Sequence, residues 1–346
     1  MNPRLIKLVS LFLSHRIDAC LVVCAENIRY LAKFPAAESW LLVTFKKAYY
    51  FTDFRYGEEA RQGLRGIAVR QYKRSLIQEL FGLIKKKKIK RIGIELRHIS
   101  AETYQRMKAQ CPRGVKLIPL TGLVESLRVI KEPEEIKLIR DAVRINLNAF
   151  RYLKGVLKEG MAESDLLKRL EGYVRRQNVK FSFDPIIASG PHSSMPHAKT
   201  GDKRVSKHQP LLVDMGVDVQ GYKSDLTRIF FLGKIPPHIR EVYEKVKEAQ
   251  ARAIAAVRPG IQASIIDQQA RKYLKKKGLA KYFGHSLGHG IGLEVHEAPI
   301  ISSSSPWVLK TGMIFTVEPA VYLPKNFGIR IEDMILVTPQ GCQILS

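Results

Sequence analysis

The chain is short of cysteine, of acidic residues and of long apolar runs, and each shortage excludes something. Its 346 residues hold four cysteines, Cys20, Cys24, Cys111 and Cys342, none in C-x-x-C spacing. That excludes the usual thiolate zinc site and a disulfide scaffold. A chain of this length needs no disulfides to fold, so a reducing cytoplasm is the expected compartment. No apolar run approaches the ~18 residues of a membrane span. The opening MNPRLIKLVSLFLSHR has no small-residue cleavage site and reads as a first helix, not an export signal. There is no P-loop and no dinucleotide glycine fingerprint, and His296-Glu297-Ala298-Pro299-Ile300 lacks the second histidine of H-E-x-x-H. Gly284–Gly288 formally fits G-x-S-x-G, but a glycine-rich stretch follows where a nucleophile elbow needs a helix.

The shortage of acids is the largest departure from average. Lys and Arg number 58 against 32 Asp and Glu, a net charge of +26. Residues 1–125 hold 24 basic and 10 acidic side chains, and residues 126–346 hold 34 and 22, so the excess is not a tail. The runs Lys85–Lys88 and Lys275–Lys277 have no interleaved aromatics to stack bases. They read as a solvated basic face, and no nucleic-acid partner is expected from them. A hydrophobic fraction of 45% and a charged fraction of 26% are ordinary globular usage.

Helical and strand-like segments alternate through the first 120 or so residues, which predicts an α/β domain. Helices are expected at 3–16, 56–62, 76–85 and 101–108, and strands at 19–23, 40–45, 48–51, 91–94 and 115–117. The texture changes at Arg128–Glu132, where Lys131-Glu132-Pro133-Glu134-Glu135 reads as a helix start. The expected domains are 1–125 and 126–346. The second is read as α+β, with helices near 134–157, 164–177, 239–257 and 263–277 and with strand hairpins.

Two hairpins carry paired acids. In LLVDMGVDVQGYKSDLTRIFF, folding the ribbon at its midpoint between Val219 and Gln220 sets Asp214 opposite Asp225. In MIFTVEPAVYLPKNFGIRIEDMILV, Glu318 and Glu332 are symmetric about Lys325 and become neighbours in the same way. Lone carboxylates are costly in such apolar strands, and close pairs repel unless a cation lies between them. A histidine-rich segment, FGHSLGHGIGLEVHEAP, adds His285, His289 and His296, and the loop ASGPHSSMPH adds His197. Any one of these histidines alone is more simply a core or surface residue. Four carboxylates and one imidazole together suit two divalent ions, whose charge they balance. The oxygen-rich donor set favours Mn²⁺, Co²⁺ or Fe²⁺, with Zn²⁺ admitted. Two metals ~3.5–4 Å apart can share a hydroxide and polarise a carbonyl, which is hydrolytic chemistry.

The blocks GPHSSMPH, DMGVDVQGYKSDLTR, GHSLGHGIGLEVHEAP, VEPAVYLP and GIRIED, in that order across 188–333, resemble the pita-bread (creatinase/aminopeptidase P/prolidase) metallopeptidases. NIRYL at 27–31 and TDFRYGEEA at 52–60 resemble the creatinase-type N-terminal domain. The resemblance implies an α+β protein: an N-terminal creatinase-like α/β domain followed by a C-terminal pita-bread catalytic domain. It implies two divalent ions, Mn²⁺ first, held by Asp214, Asp225, His289, Glu318 and Glu332. Glu318 would also be the general base, and His197 and His296 would stabilise the tetrahedral intermediate. Arg330 would orient Glu332 or bind a substrate carboxylate, and His285 would line the pocket or serve the fold. Ala320 stands where many relatives have glycine. The implied activity is hydrolysis of Xaa-Pro bonds, in peptides or dipeptides, by a metal-bridging hydroxide in a homodimer. An alternative of another class is a basic protein reusing the fold to hold RNA or ribosomes, and the intact ligand set argues against it as the sole role.

Overall fold

Period-2 apolar runs separated by amphipathic helices build the first part of the chain. The structure, a computed structural model, describes residues 1–346 and divides into two units, Met1–Arg128 and Val129–Ser346. The division lies three residues after the expected boundary.

The first unit is a six-stranded mixed sheet of β1 (Ala19–Val22), β2 (Trp40–Thr44), β3 (Ala48–Thr52), β4 (Ile67–Gln71), β5 (Arg91–Glu95) and β6 (Lys116–Leu120), ordered β4-β3-β2-β1-β5-β6. The pairs β3–β4, β1–β5 and β5–β6 are parallel; β2–β3, joined by a tight link, and β1–β2, joined through the helix Ala25–Ala32, are antiparallel. The helices Leu76–Lys86 and Ala101–Gln110 close one apolar cluster through Leu80, Ile84 and Met107 onto Leu21, Phe51 and Ile92. The first helix ends at Ser10, not at Arg16. The hydroxyls of Ser10 and Ser14 donate to the carbonyls of Lys7 and Leu11, and Arg16 takes a positive φ of 52°. Such local bonds compete with a continuing helix.

The second unit opens with the helix Pro133–Val156, started by proline in its first turn and by the Glu135 carboxylate accepting from the Glu132 N–H at 2.8 Å. The helices Glu163–Arg176, Pro237–Ala255 and Ala263–Lys276 follow. Its strands are β7 (Lys180–Phe181), β8 (Ile186–Ser189), β9 (Pro210–Met215), β10 (Val217–Val219), β11 (Tyr222–Lys223), β12 (Leu226–Phe231), β13 (Gly288–Gly290), β14 (Glu297–Ile301), β15 (Ile314–Val317), β16 (Ala320–Leu323), β17 (Phe327–Arg330), β18 (Asp333–Thr338) and β19 (Gly341–Ile344). They form sheets β11-β10-β7, β12-β9-β8, β14-β13-β15-β18-β19 and β16-β17. Apolar faces of the last two long helices (Val246, Ala253, Ile266, Leu274) pack on Phe315, Val317 and Ile335. The polar side chains of the candidate site lie on these strands or directly beside their ends, and the architecture is the expected α+β arrangement.

Candidate metal centre

The first hairpin departs from its expected register. β9 and β12 pair Asp214 with Thr227, and β10 and β11 pair Val219 with Tyr222. Asp214 therefore does not face Asp225. The cause is the turn: Gln220 and Gly221 take positive φ of 51° and 90°, a two-residue turn of the kind that matches strand twist. Its centre lies one residue beyond the midpoint of the two aspartates, which shifts the pairing by two. A shift of two preserves the face, so Asp214 and Asp225 remain diagonal neighbours on one side of the ribbon.

The second hairpin keeps its register. β15–β18 pairs Val317 with Asp333, and β16–β17 pairs Ala320 with Arg330 and Leu323 with Phe327. Every pair is symmetric about Lys325, which takes φ 60° in the turn. The ladder breaks between its two halves, and Glu318 and Glu332 stand in that break. Gln250 holds the break from behind, donating to the carbonyls of Val317 and Ile331 at 3.1 and 3.2 Å.

The short strand β13 brings in the imidazole. Gly288 has no side chain because a Cβ there would lie 1.8 Å from the carbonyl oxygen of Thr316 on β15. That close approach sets His289 over the acids: its Nε2 is 3.3 Å from Glu318 Oε1 and 3.6 Å from Asp225 Oδ2. Donor atoms of Asp225, His289 and Glu332 all lie within 4.8 Å of one another.

Burial and mutual repulsion govern the protonation of this cluster. Asp225 is held well above the ordinary carboxylate range, first by burial and then by Glu332, Asp214 and Glu318. Glu332 is raised likewise, by burial and then by Glu318 and Asp214. Burial pushes Glu318 up to about 8, with Arg330 opposing and Asp214 reinforcing. Burial and then the His296 ring, 4.2 Å away between centroids, bring His289 down to about 4. Acids so placed cannot all ionise without cations among them.

Asp214 supplies the clearest sign of what is meant to lie there. Its Oδ2 accepts from Arg330 at 2.5 Å, while its buried Oδ1 has no hydrogen-bond partner. A buried, unpartnered carboxylate oxygen beside three further acids and an imidazole fits a divalent cation. Of the five ligands expected from the sequence, Asp225, His289 and Glu332 offer donor atoms within 4.8 Å of one another, and Glu318 Oε1 lies 3.3 Å from His289 Nε2.

Arg330 is buried and directed at protein acceptors: Asp214, Thr227 Oγ1 at 3.0 Å, the Pro196 carbonyl at 3.4 Å and the Tyr322 hydroxyl. Its expected contact with Glu332 runs through Thr227, whose hydroxyl donates to Glu332 Oε2 at 2.7 Å. The alternative reading of Arg330 as a holder of substrate carboxylate gains nothing from these bonds. Thr227 and Tyr322 were absent from the residues singled out by sequence. Thr227 lies two residues from Asp225, on the same strand face, and that spacing is the signal that could have found it. His285 donates from Nδ1 to the Ser286 carbonyl, leaving Nε2 buried without a partner, and its ring lies against Phe283 and Tyr322. Burial lowers its pKa to about 4. His197 is exposed on the 190–201 loop, and His296 has its pKa lowered by burial, opposed by Asp214 and reinforced by His197.

Comparison with known proteins identifies the family. Residues 137–339 match the metallopeptidase family M24, and residues 4–130 match the creatinase/prolidase N-terminal domain. The chain belongs to metallopeptidase family M24, whose members work with divalent metal ions. It is 35% identical over 352 residues to an Xaa-Pro dipeptidase of Pyrococcus horikoshii, covering 100% of this chain and 97% of that one. An Xaa-Pro dipeptidase from Bacillus anthracis superposes with a TM-score of 0.96 at 36% identity, over 99% and 96% of the two chains. An X-Pro aminopeptidase from Thermotoga maritima gives 0.91 at 34%, over 99% and 97%. No helix is long and apolar enough to cross a membrane.

Proposed function

We propose that this metallopeptidase hydrolyses the bond before proline in Xaa-Pro dipeptides. The observation that carries the proposal is the unpartnered, buried Asp214 Oδ1 among Asp225, His289, Glu318 and Glu332, a donor set suited to two divalent ions. The near full-length likeness to Xaa-Pro dipeptidases supports the substrate. A second reading, removal of the first residue from longer Xaa-Pro peptides, is favoured by the likeness to the X-Pro aminopeptidase.

In this reading Asp214, Asp225, His289, Glu318 and Glu332 hold the metal, with Mn²⁺ favoured by the oxygen-rich set. When bound, such ions supply Lewis acidity and lower the pKa of water to about 7. Glu318, ionised once cations offset the neighbouring acids, takes the proton of the attacking water as general base. His296 and His197 donate N–H groups to the scissile carbonyl oxygen as its charge develops. Arg330 and Thr227 fix Asp214 and Glu332. The bond before proline is a tertiary amide without N–H, so its pocket needs no acceptor for that group. Four free thiols suit a reducing cytoplasm, and we take the working form to be a homodimer.

The test compares Ala-Pro with Ala-Pro-Ala-Ala, each with Mn²⁺ and with chelator. Metal-dependent cleavage of Ala-Pro alone supports the dipeptidase, and cleavage of the tetrapeptide supports the aminopeptidase. Cleavage of neither overturns both.

A further inference from the structure

We propose that Glu163, assisted by His192, is a positioning residue that clamps both feet of the loop carrying His197. The inference rests on the catalytic reading of His197 given above. Glu163 is the first residue of the helix Glu163–Arg176 and is fully buried. Its Oε1 accepts from the Ser189 N–H at 2.8 Å, where β8 ends and the loop begins. Its Oε2 accepts from the Gly201 N–H at 3.2 Å, where the loop returns. One carboxylate thus joins two backbone positions twelve residues apart in sequence.

His192 completes the clamp from inside the loop. Its Nδ1 lies 2.9 Å from both carboxylate oxygens of Glu163. An ionised carboxylate only accepts, so Nδ1 bears the hydrogen. The helix start adds two backbone bonds to the returning limb, Glu163 N–H to the Lys203 carbonyl at 2.9 Å and Ser164 N–H to the Gly201 carbonyl at 2.8 Å. The negative charge sits at the positive end of the helix dipole, which favours it there.

The far side of the loop leans on the metal-site hairpin. Ser193 Oγ accepts from the Gly328 N–H at 2.8 Å, and a Cβ on Gly328 would lie 2.0 Å from the Ser193 carbonyl oxygen. Gly328 is two residues from Arg330, which itself donates to the Pro196 carbonyl at 3.4 Å. The loop is therefore held between Glu163 and the strand that holds Arg330, and His197, the residue after Pro196, takes its place from both. The side chain of His197 is exposed and cannot fix itself. Glu163 is a carboxylate with two acceptors for two feet, and an amide in its place has one acceptor oxygen and turns a donor toward the other N–H.

The experiment uses the full chain loaded with Mn²⁺. Glu163→Gln, His192→Ala and His192→Asn are compared with the unaltered protein for kcat and KM on Ala-Pro, metal content, and hydrogen exchange at the Ser189 and Gly201 amides. Glu163→Gln and His192→Ala are expected to lower kcat about 10–100-fold, with KM within threefold and metal content unchanged. His192→Asn, which still offers Glu163 an N–H, is expected to recover most of the loss. In Glu163→Gln the two amides should lose protection together. If Glu163→Gln does not fold, the His192 pair decides the matter. Unchanged kcat per folded, metal-loaded chain, or loss of protection at one foot only, overturns the proposal. If the unaltered protein cleaves no Xaa-Pro substrate the functional reading fails, while the paired loss of amide protection still reports on the clamp.

Discussion

A single carboxylate, Glu318, joins the electrostatics of the site to its proposed chemistry. Replacing it by glutamine removes the proton acceptor and keeps the shape. We expect kcat to fall by about 10²–10⁴-fold with an unchanged circular dichroism spectrum, and a drop below tenfold would show that another group takes the proton. The raised pKa also fixes the sign of two pH effects. A carboxyl held near 8 and ordinarily near 4.5 binds its proton more tightly in the fold than in the unfolded chain. Its stabilising contribution is full below about pH 4.5 and is lost as pH rises through 8. Chelated protein should therefore melt at lower temperature at pH 8 than at pH 5.5, with added Mn²⁺ restoring more at the higher pH. At pH 7 the same group is largely protonated, so metal uptake should release protons, seen as a buffer-dependent heat in titration calorimetry. His289, at about 4, is already neutral there and releases none. Heats independent of buffer would contradict the assignment.

At the scale of the element, the two hairpins explain what was legible in the sequence and what was not. The second could be read from symmetry, because its turn is centred on the residue midway between Glu318 and Glu332. The first could not, because the turn chemistry of Gln220-Gly221, not the spacing of the aspartates, sets the pairing. The outcome for the site was small: a two-residue shift keeps Asp214 and Asp225 on one face. Supporting residues such as Gln250 and Glu163 are not visible in the sequence, since their partners lie tens of residues away and nothing local marks them, whereas Thr227 carries a local signal in its spacing from Asp225. The close approach of β13 to β15 gives the sharpest test at this scale. Gly288→Ala puts a methyl group into the Thr316 carbonyl, and backbone cannot yield as a flexible side chain can. We expect a loss of about 1–3 kcal/mol or more, with weakened metal retention because His289 is the next residue. A variant that melts as the unaltered chain does would refute the close-packing account.

For the whole molecule, the net charge of +26 conceals the part that matters. The acids are few, and four of them lie together in the second unit, where repulsion makes them a place for cations. Metal stabilisation should therefore be local. A ligand at 100 times its Kd adds about 2.7 kcal/mol to what it binds, so chelation should speed hydrogen exchange within Val129–Ser346 and leave the strands of Met1–Arg128 unchanged. Exchange rising equally in both units would mean that the cage is not where the metal acts. The two-unit organisation itself was legible from the change in texture near Arg128, where alternating strands and helices give way to a proline-started helix of 24 residues. We propose that Asp214, Asp225, His289, Glu318 and Glu332 together form a metal centre that hydrolyses Xaa-Pro. Its most direct measurement is titration of chelator-stripped protein with Mn²⁺ while Ala-Pro hydrolysis is followed. The rate is expected to rise from near zero to a plateau at two equivalents of metal per chain; hydrolysis that is absent at every loading, or undiminished in stripped protein, would refute the metal centre.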